Sequence, residues 1–272
     1  DGSSLSHAAI LARSLGIPAV MGVREVPLSY LDRQPLIVDG HIGRVHVRPA
    51  QTTREAVEAE IHRQRAHNEA LEPFRPLPAQ TIDGKRIHLL TNTGLVAVPA
   101  GAHDQGSDGV GLFRSELPFM MFERFPSESE QQDIYRQALA AIAPLPLVLR
   151  TLDAGGDKPL PYLVTDEPNP ALGWRGIRFT LEHPDIFLTQ IRAALRANIG
   201  LGNLHLLLPM VSALDEVAQA KVLIEQAAQQ LGDEGLEVSV PRLGAMIEVP
   251  AAVYLAESLA RQVDFLSVGT ND

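Results

Sequence analysis

From residue 86 onward, continuous apolar runs alternate with stretches whose apolar positions recur every three to four residues. The runs are RIHLLTN (86–92), GVGLFRSE (109–116), LPLVLRTLD (145–153), LHLLLPMV (204–211), LGAMIEVP (243–250) and VDFLSVGTND (263–272). Runs that are apolar without strict alternation fit parallel strands covered on both faces. Between them, ESEQQDIYRQALAAIA, DIFLTQIRAALRANIG, ALDEVAQAKVLIEQAAQQLG and AAVYLAESLARQ carry helical periodicity. Repeated β-then-α units predict a TIM-type barrel or an open doubly wound sheet. No GxGxxG or Walker-type loop follows the first strand, which lowers the dinucleotide and P-loop alternatives.

The first 50 residues have a different texture, that of the later half of a small α/β domain. Ser6 is placed to cap a helix over HAAILARSL, and Gly16 to end it. IPAVMG (17–22) and PLIVDGHIGRVHVRP then read as short strands, with Asp39-Gly40 starting a hairpin turn. From 51 to about 72 the chain is charged and helical, with a thin apolar seam of Val57, Ile61 and Leu71. So little to bury marks a connector. PFRPLP (73–78) ends it. The expected organisation is therefore a small domain (1–50), a linker helix and boundary (51–78) and a barrel domain (79–272).

Composition narrows the classes. With 272 residues and 45% apolar content, the chain can bury a sizeable core. A formal charge of −10 argues against a nucleic-acid groove, which needs clustered Lys and Arg. The absence of cysteine excludes disulfides and Cys-based metal sites, and fits a reducing compartment. The longest apolar run, 138–149, is too short for a membrane span and is broken by Pro144 and Pro146. The chain opens on Asp1 and stops directly after a strand-like run, so it reads as an internal fragment of a longer protein.

In a barrel, side chains at the C-terminal strand ends face one common site. Those ends carry Asn92, Arg114 with Glu116, Asp153, Glu248, and Asn271 with Asp272; Arg175, in NPALGWRGIR, lies in a loop region able to reach the same face. Arg forks bind phosphate or carboxylate oxygens bidentately, and Mg²⁺ takes one or two carboxylates plus water and substrate oxygens. The set fits a small phosphorylated acid. Each member also has a plainer reading: Arg114 and Glu116 as an internal ion pair, Glu248 as a helix-start acid, Asn271-Asp272 as a turn. His62/His67 and His41/His46 are spaced so that each pair points to different faces, and read as solvated surface. His7 stands at a helix N-terminus, where amides and the helix dipole, with the hydroxyls of Ser3, Ser4 and Ser6, would stabilise a phosphate on its ring. A structural histidine near an N-cap is the alternative.

Six motifs occur in an order that resembles the phosphoenolpyruvate-utilising enzyme family: SHAAILARSLGIPAVMG, GVGLFRSELPFM, TLDAGGDKPLPY, NPALGWRGIR, GAMIEVPAA and VDFLSVGTND. The chain is most similar to the enzyme I branch of the bacterial phosphotransferase system, including the short connector into TIDGKRIHLLTNTG. The resemblance implies part of a phosphohistidine swivelling domain, a linker helix and six strands of a truncated (β/α)₈ barrel. It implies that His7 accepts the phosphoryl group of phosphoenolpyruvate on Nε2 and passes it to a histidine-containing carrier protein, releasing pyruvate. Arg114, Arg175, Asn271 and Asp272 would bind the substrate; Glu248 and Asp272 would bind Mg²⁺. The parent would be a cytoplasmic homodimer, and the linker a hinge. The branch's catalytic cysteine, two strands and another arginine would lie beyond residue 272, which leaves the fragment inactive. Ser4 and Leu5 stand where the sugar-uptake members carry Arg and Thr, and resemble the nitrogen-related branch instead. A pyruvate phosphate dikinase or phosphoenolpyruvate synthase, and a non-catalytic phosphoenolpyruvate-sensing module, are the alternatives.

Overall fold

The computed structural model describes residues 12, 16–23, 28–93, 106–120, 122–155, 160, 162 and 173–270. The chain divides into two compact units, Asp1–Arg75 and Pro76–Asp272.

In the first unit a short helix α1 (Leu28–Leu31) precedes an antiparallel hairpin of β1 (Leu36–Asp39) and β2 (Arg44–Val47). Asp39 explains the turn: its Oδ1 accepts the His41 and Ile42 backbone N–H groups at 3.0 and 3.1 Å, closing the loop as an Asx turn. The strand expected over 17–22 does not form; residues 17–23 have no regular structure. Pro18 has no N–H to give a ladder, and Gly22 takes φ +72°. Helix α2 (Gln51–Leu71) buries no residue, and Ile61 and Leu71 of its apolar seam are exposed. It ends in a 3₁₀ turn, Glu72–Phe74, that contains Pro73.

The second unit is built on one curled, parallel sheet of six strands in sequential order: β3 (Thr91–Thr93), β4 (Val110–Arg114), β5 (Leu147–Arg150), β6 (Leu204–Leu208), β7 (Arg242–Ile247) and β8 (Phe265–Val268). The helices are α3 (Glu116–Phe119), α4 (Glu128–Ile142), α5 (Ile177–Glu182), α6 (Pro184–Asn198), α7 (Leu214–Asp233) and α8 (Pro250–Ala260). A doubly wound sheet reverses its strand order part-way; this one does not, so the architecture is that of a truncated TIM-type barrel. The run 86–92 yields only a short strand, because the Leu89 N–H goes to Asp108 Oδ2 at 2.9 Å rather than to a neighbouring strand.

Side chains alternate between two apolar layers. Leu147, Leu149, Leu204, Leu206, Leu208 and Ala245 pack outward against Tyr135, Leu139, Ile191, Ala194, Val217 and Ile224 of the helices. Leu112, Val148, Leu207 and Met246, with half-buried Phe265, form a smaller cluster on the other side. Gly244 lets β8 close on β7, since a Cβ there would lie 2.3 Å from the Phe265 ring.

Buried amides then fix the strand ends. Asn198 Oδ1 accepts the N–H groups of Asn203 and Leu204, both at 3.1 Å, and Asn203 Nδ2 donates to the Leu139 and Leu145 carbonyls. Above β5, Gln190 Oε1 accepts the Leu152 N–H at 2.8 Å, while Gln190 Nε2 donates to Tyr135. The chain leaving β5 is therefore anchored from helix α6.

Candidate functional site

Two residues beyond Leu112, Val148 and Met246 come Arg114 and Arg150, which end β4 and β5, and Glu248, just past the end of β7. A period of two keeps each on the face of its inner-layer neighbour, one step nearer the C-terminal end. The apolar floor thus continues into two arginines and a carboxylate. Arg114 and Arg150 are register partners of β4 and β5.

Their surroundings differ. Arg114 is half-buried and makes no ion pair or side-chain hydrogen bond among the described residues. Arg150 is 3% exposed: its Nη2 is paired with Glu116 Oε1 and lies 3.2 Å from Asp153 Oδ2. Burial works against the Arg150 charge, but the carboxylates of Glu116, Asp153 and Glu248 outweigh it and hold its pKa above the ordinary value. Asp153 in turn takes a two-point bond from Arg175, Nε to Oδ1 at 3.0 Å and Nη2 to Oδ2 at 2.8 Å. Gly155, at φ +114°, allows this approach; a Cβ would meet the Trp174 carbonyl oxygen at 2.6 Å. The result is a buried ladder, Glu116–Arg150–Asp153–Arg175, of two anions and two cations.

Glu248 is fixed from the neighbouring strand end: its Oε1 accepts the Met210 N–H at 2.6 Å. Met210 itself has φ +58°, a conformation uncommon for a side chain of its size. A Cβ on Gly269 would sit 2.8 Å from Glu248 Cβ, so glycine there leaves the carboxylate its room.

Of the residues singled out in the sequence, the structure brings together Arg114, Glu116, Asp153, Arg175 and Glu248. Glu116 pairs with Arg150 and not with Arg114, which corrects the ion-pair alternative. Asn92 is exposed on β3, in register with Leu112, below the arginine level. His7, Asn271 and Asp272 lie outside the described residues. His41, His62 and His67 are exposed. Among the described residues no group of three or more His, Asp or Glu could hold a metal. Sequence reading missed Arg150, taking Asp153 as the end of its run. The signal was there: GLFR and LVLR both finish a strand on arginine after apolar residues.

Parallel β/α units in sequential strand order, with opposed charges gathered at the strand ends, define the class, a truncated TIM-type barrel domain. Residues 68–272 match the PEP-utilising enzyme, PEP-binding domain, and residues 1–43 match the PEP-utilising enzyme, mobile domain. The chain belongs to the PEP-utilising enzyme family. It is 48% identical over its whole length to the phosphoenolpyruvate-dependent phosphotransferase system protein of Escherichia coli (strain K12), covering 36% of that protein. It is 41% identical to the phosphoenolpyruvate-protein phosphotransferase of Enterococcus faecalis and 43% identical to that of Haloferax volcanii, covering 48% and 47% of them. The chain thus spans between a third and a half of these relatives.

Proposed function

We propose that the protein carrying this chain is a phosphoenolpyruvate–protein phosphotransferase. The observation that carries this reading is the side-by-side pair Arg114 and Arg150, with Glu248 on the same face of the sheet. Such a pair suits a phosphoryl group whose charge must be held while it moves. The relatives' names favour this reading over the dikinase, synthase and sensing-module alternatives.

In this reading Arg114 supplies the fork for the phosphate, and Arg150 and Arg175 stand beside it on Glu116 and Asp153. Asn271 and Asp272 complete the substrate contacts. The donor chemistry suits Mg²⁺: Glu248 offers one carboxylate oxygen to a hard cation, with Asp272 as the second ligand, and water and substrate oxygens fill the rest. The ion, when bound, adds positive charge against the phosphoryl oxygens. The P–O bond of phosphoenolpyruvate breaks, an N–P bond forms at His7 Nε2, and the enolate leaves and takes up a proton from water or a general acid at its methylene carbon to become pyruvate. His7 then gives the group to a histidine-containing carrier protein. A cytoplasmic, homodimeric parent completes the proposal; no helix among the described residues is long and apolar enough to cross a membrane.

The test is phosphoryl labelling of the full-length protein with ³²P-phosphoenolpyruvate and Mg²⁺. Acid-labile label on His7, absent from His7→Ala, is the expected result. An unlabelled His7 in a folded protein overturns the reading.

A further inference from the structure

We propose that Glu116 is a positioning residue that divides the work of the two arginines. The inference rests on the phosphoenolpyruvate reading of the site. Arg114 and Arg150 are register partners on adjacent strands, and adjacent strands run about 4.8 Å apart. Two guanidinium groups rooted on neighbouring strands of one face repel each other unless an anion lies between or beside them. Glu116 follows Arg114 by two residues, at the start of α3, and is 3% exposed. Its carboxylate crosses to Arg150 and leaves Arg114 alone.

A buried ion pair is a poor way to gain stability, since desolvation offsets most of the attraction. What it does supply is orientation. Here Glu116 holds one nitrogen of Arg150, and the pair is not saturated: Glu116 Oε2 and Arg150 Nε are both buried with no hydrogen-bond partner among the described residues. An arginine fixed at one nitrogen and still owing a donor is prepared for a second anion. By taking up the charge of Arg150, Glu116 also leaves the whole Arg114 fork for the incoming phosphate. Removing Glu116 would let the Arg150 guanidinium turn toward Asp153 alone, away from its neighbour.

The effect falls on substrate binding more than on the chemical step. In the full-length protein, Glu116→Ala should raise KM for phosphoenolpyruvate by about tenfold or more with kcat changed by less than about threefold, the pattern of lost ground-state binding. Glu116→Gln keeps an oxygen acceptor at the same place and should recover most of that loss. Thermal midpoints of both variants report any purely structural role separately. An unchanged KM in Glu116→Ala, a KM raised about tenfold or more in Glu116→Gln, or a fall in kcat alone in either variant overturns the inference even if the midpoint drops. If the unmodified protein does not turn over phosphoenolpyruvate at all, it is the functional reading that fails instead.

Discussion

Arg114 and Arg150 occupy matching positions on neighbouring strands, yet their substitutions should have opposite signatures. Arg114 makes no ion pair among the described residues, so Arg114→Ala should leave stability nearly unchanged while abolishing phosphoryl transfer. Arg150→Ala leaves Glu116 as a buried carboxylate without the cation it pairs with, while Arg175 is engaged by Asp153. Breaking a buried pair in this way costs about 3–5 kcal/mol. Chemical denaturation of the two variants, set against their turnover, separates these outcomes. Sequence reading reached Arg114, Asp153 and Glu248 because each stands at or just past an apolar run, and Arg175 as a cation in a loop region able to reach the same face. It missed Arg150 because strand ends are set by register with the neighbour, and LVLRTLD does not announce where pairing stops. Nor does a sequence tell which carboxylate takes which arginine: Glu116 is nearest Arg114 along the chain and bonds across the sheet.

Helix α4 shows how a local signal becomes an electrostatic one. The SESE stretch places Ser127 at the N-cap, with Ser127 Oγ accepting the Glu130 N–H at 3.4 Å and Glu130 Oε2 accepting the Ser127 N–H at 2.7 Å. Arg124 adds a two-point bond to Glu130, both contacts at 2.8 Å. Arg124 first, then the Ser127 backbone and hydroxyl, pull the Glu130 pKa from 4.5 to about 2. A carboxylate with a depressed folded pKa stabilises the fold above its unfolded value, and that contribution is lost as pH falls through the folded one. The thermal midpoint of the unmodified protein should therefore converge on that of Glu130→Gln as pH drops from about 4.5 to about 2. Added salt should narrow the gap at neutral pH, since the group is exposed. The helix itself was legible from its apolar period. The strand expected over 17–22 was not to be had from apolarity alone, since Pro18 and Gly22 decide the backbone there.

On the scale of the whole chain, protection from solvent is unevenly spread. The inner strands β5 and β6 lie between two apolar layers, whereas the 21 residues of α2 bury no side chain. Amide hydrogen exchange should follow that contrast, with Gln51–Leu71 exchanging orders of magnitude faster than Leu147–Arg150 and Leu204–Leu208. Equal protection in the two regions would show that α2 is packed in the assembled protein. The alternation of apolar runs and helical periods was enough to give the β/α order and the polar connector. The sequential, unreversed strand order was not, because an open sheet and a barrel write the same local pattern.

That strand order also governs how the molecule comes into being. From β4 to β8 each strand pairs with one that lies a full helix or more further along the chain, as Leu147 does with Leu204, and among the described residues the six-stranded sheet contains only parallel pairs. The entropy of closing those segments is spent before the pairing returns anything, which makes such topologies slow to fold. Arg114, Arg150 and Glu248 come from β4, β5 and the end of β7, so they can meet only once those strands have paired. A nascent chain would carry every residue of the anion site long before it had a site.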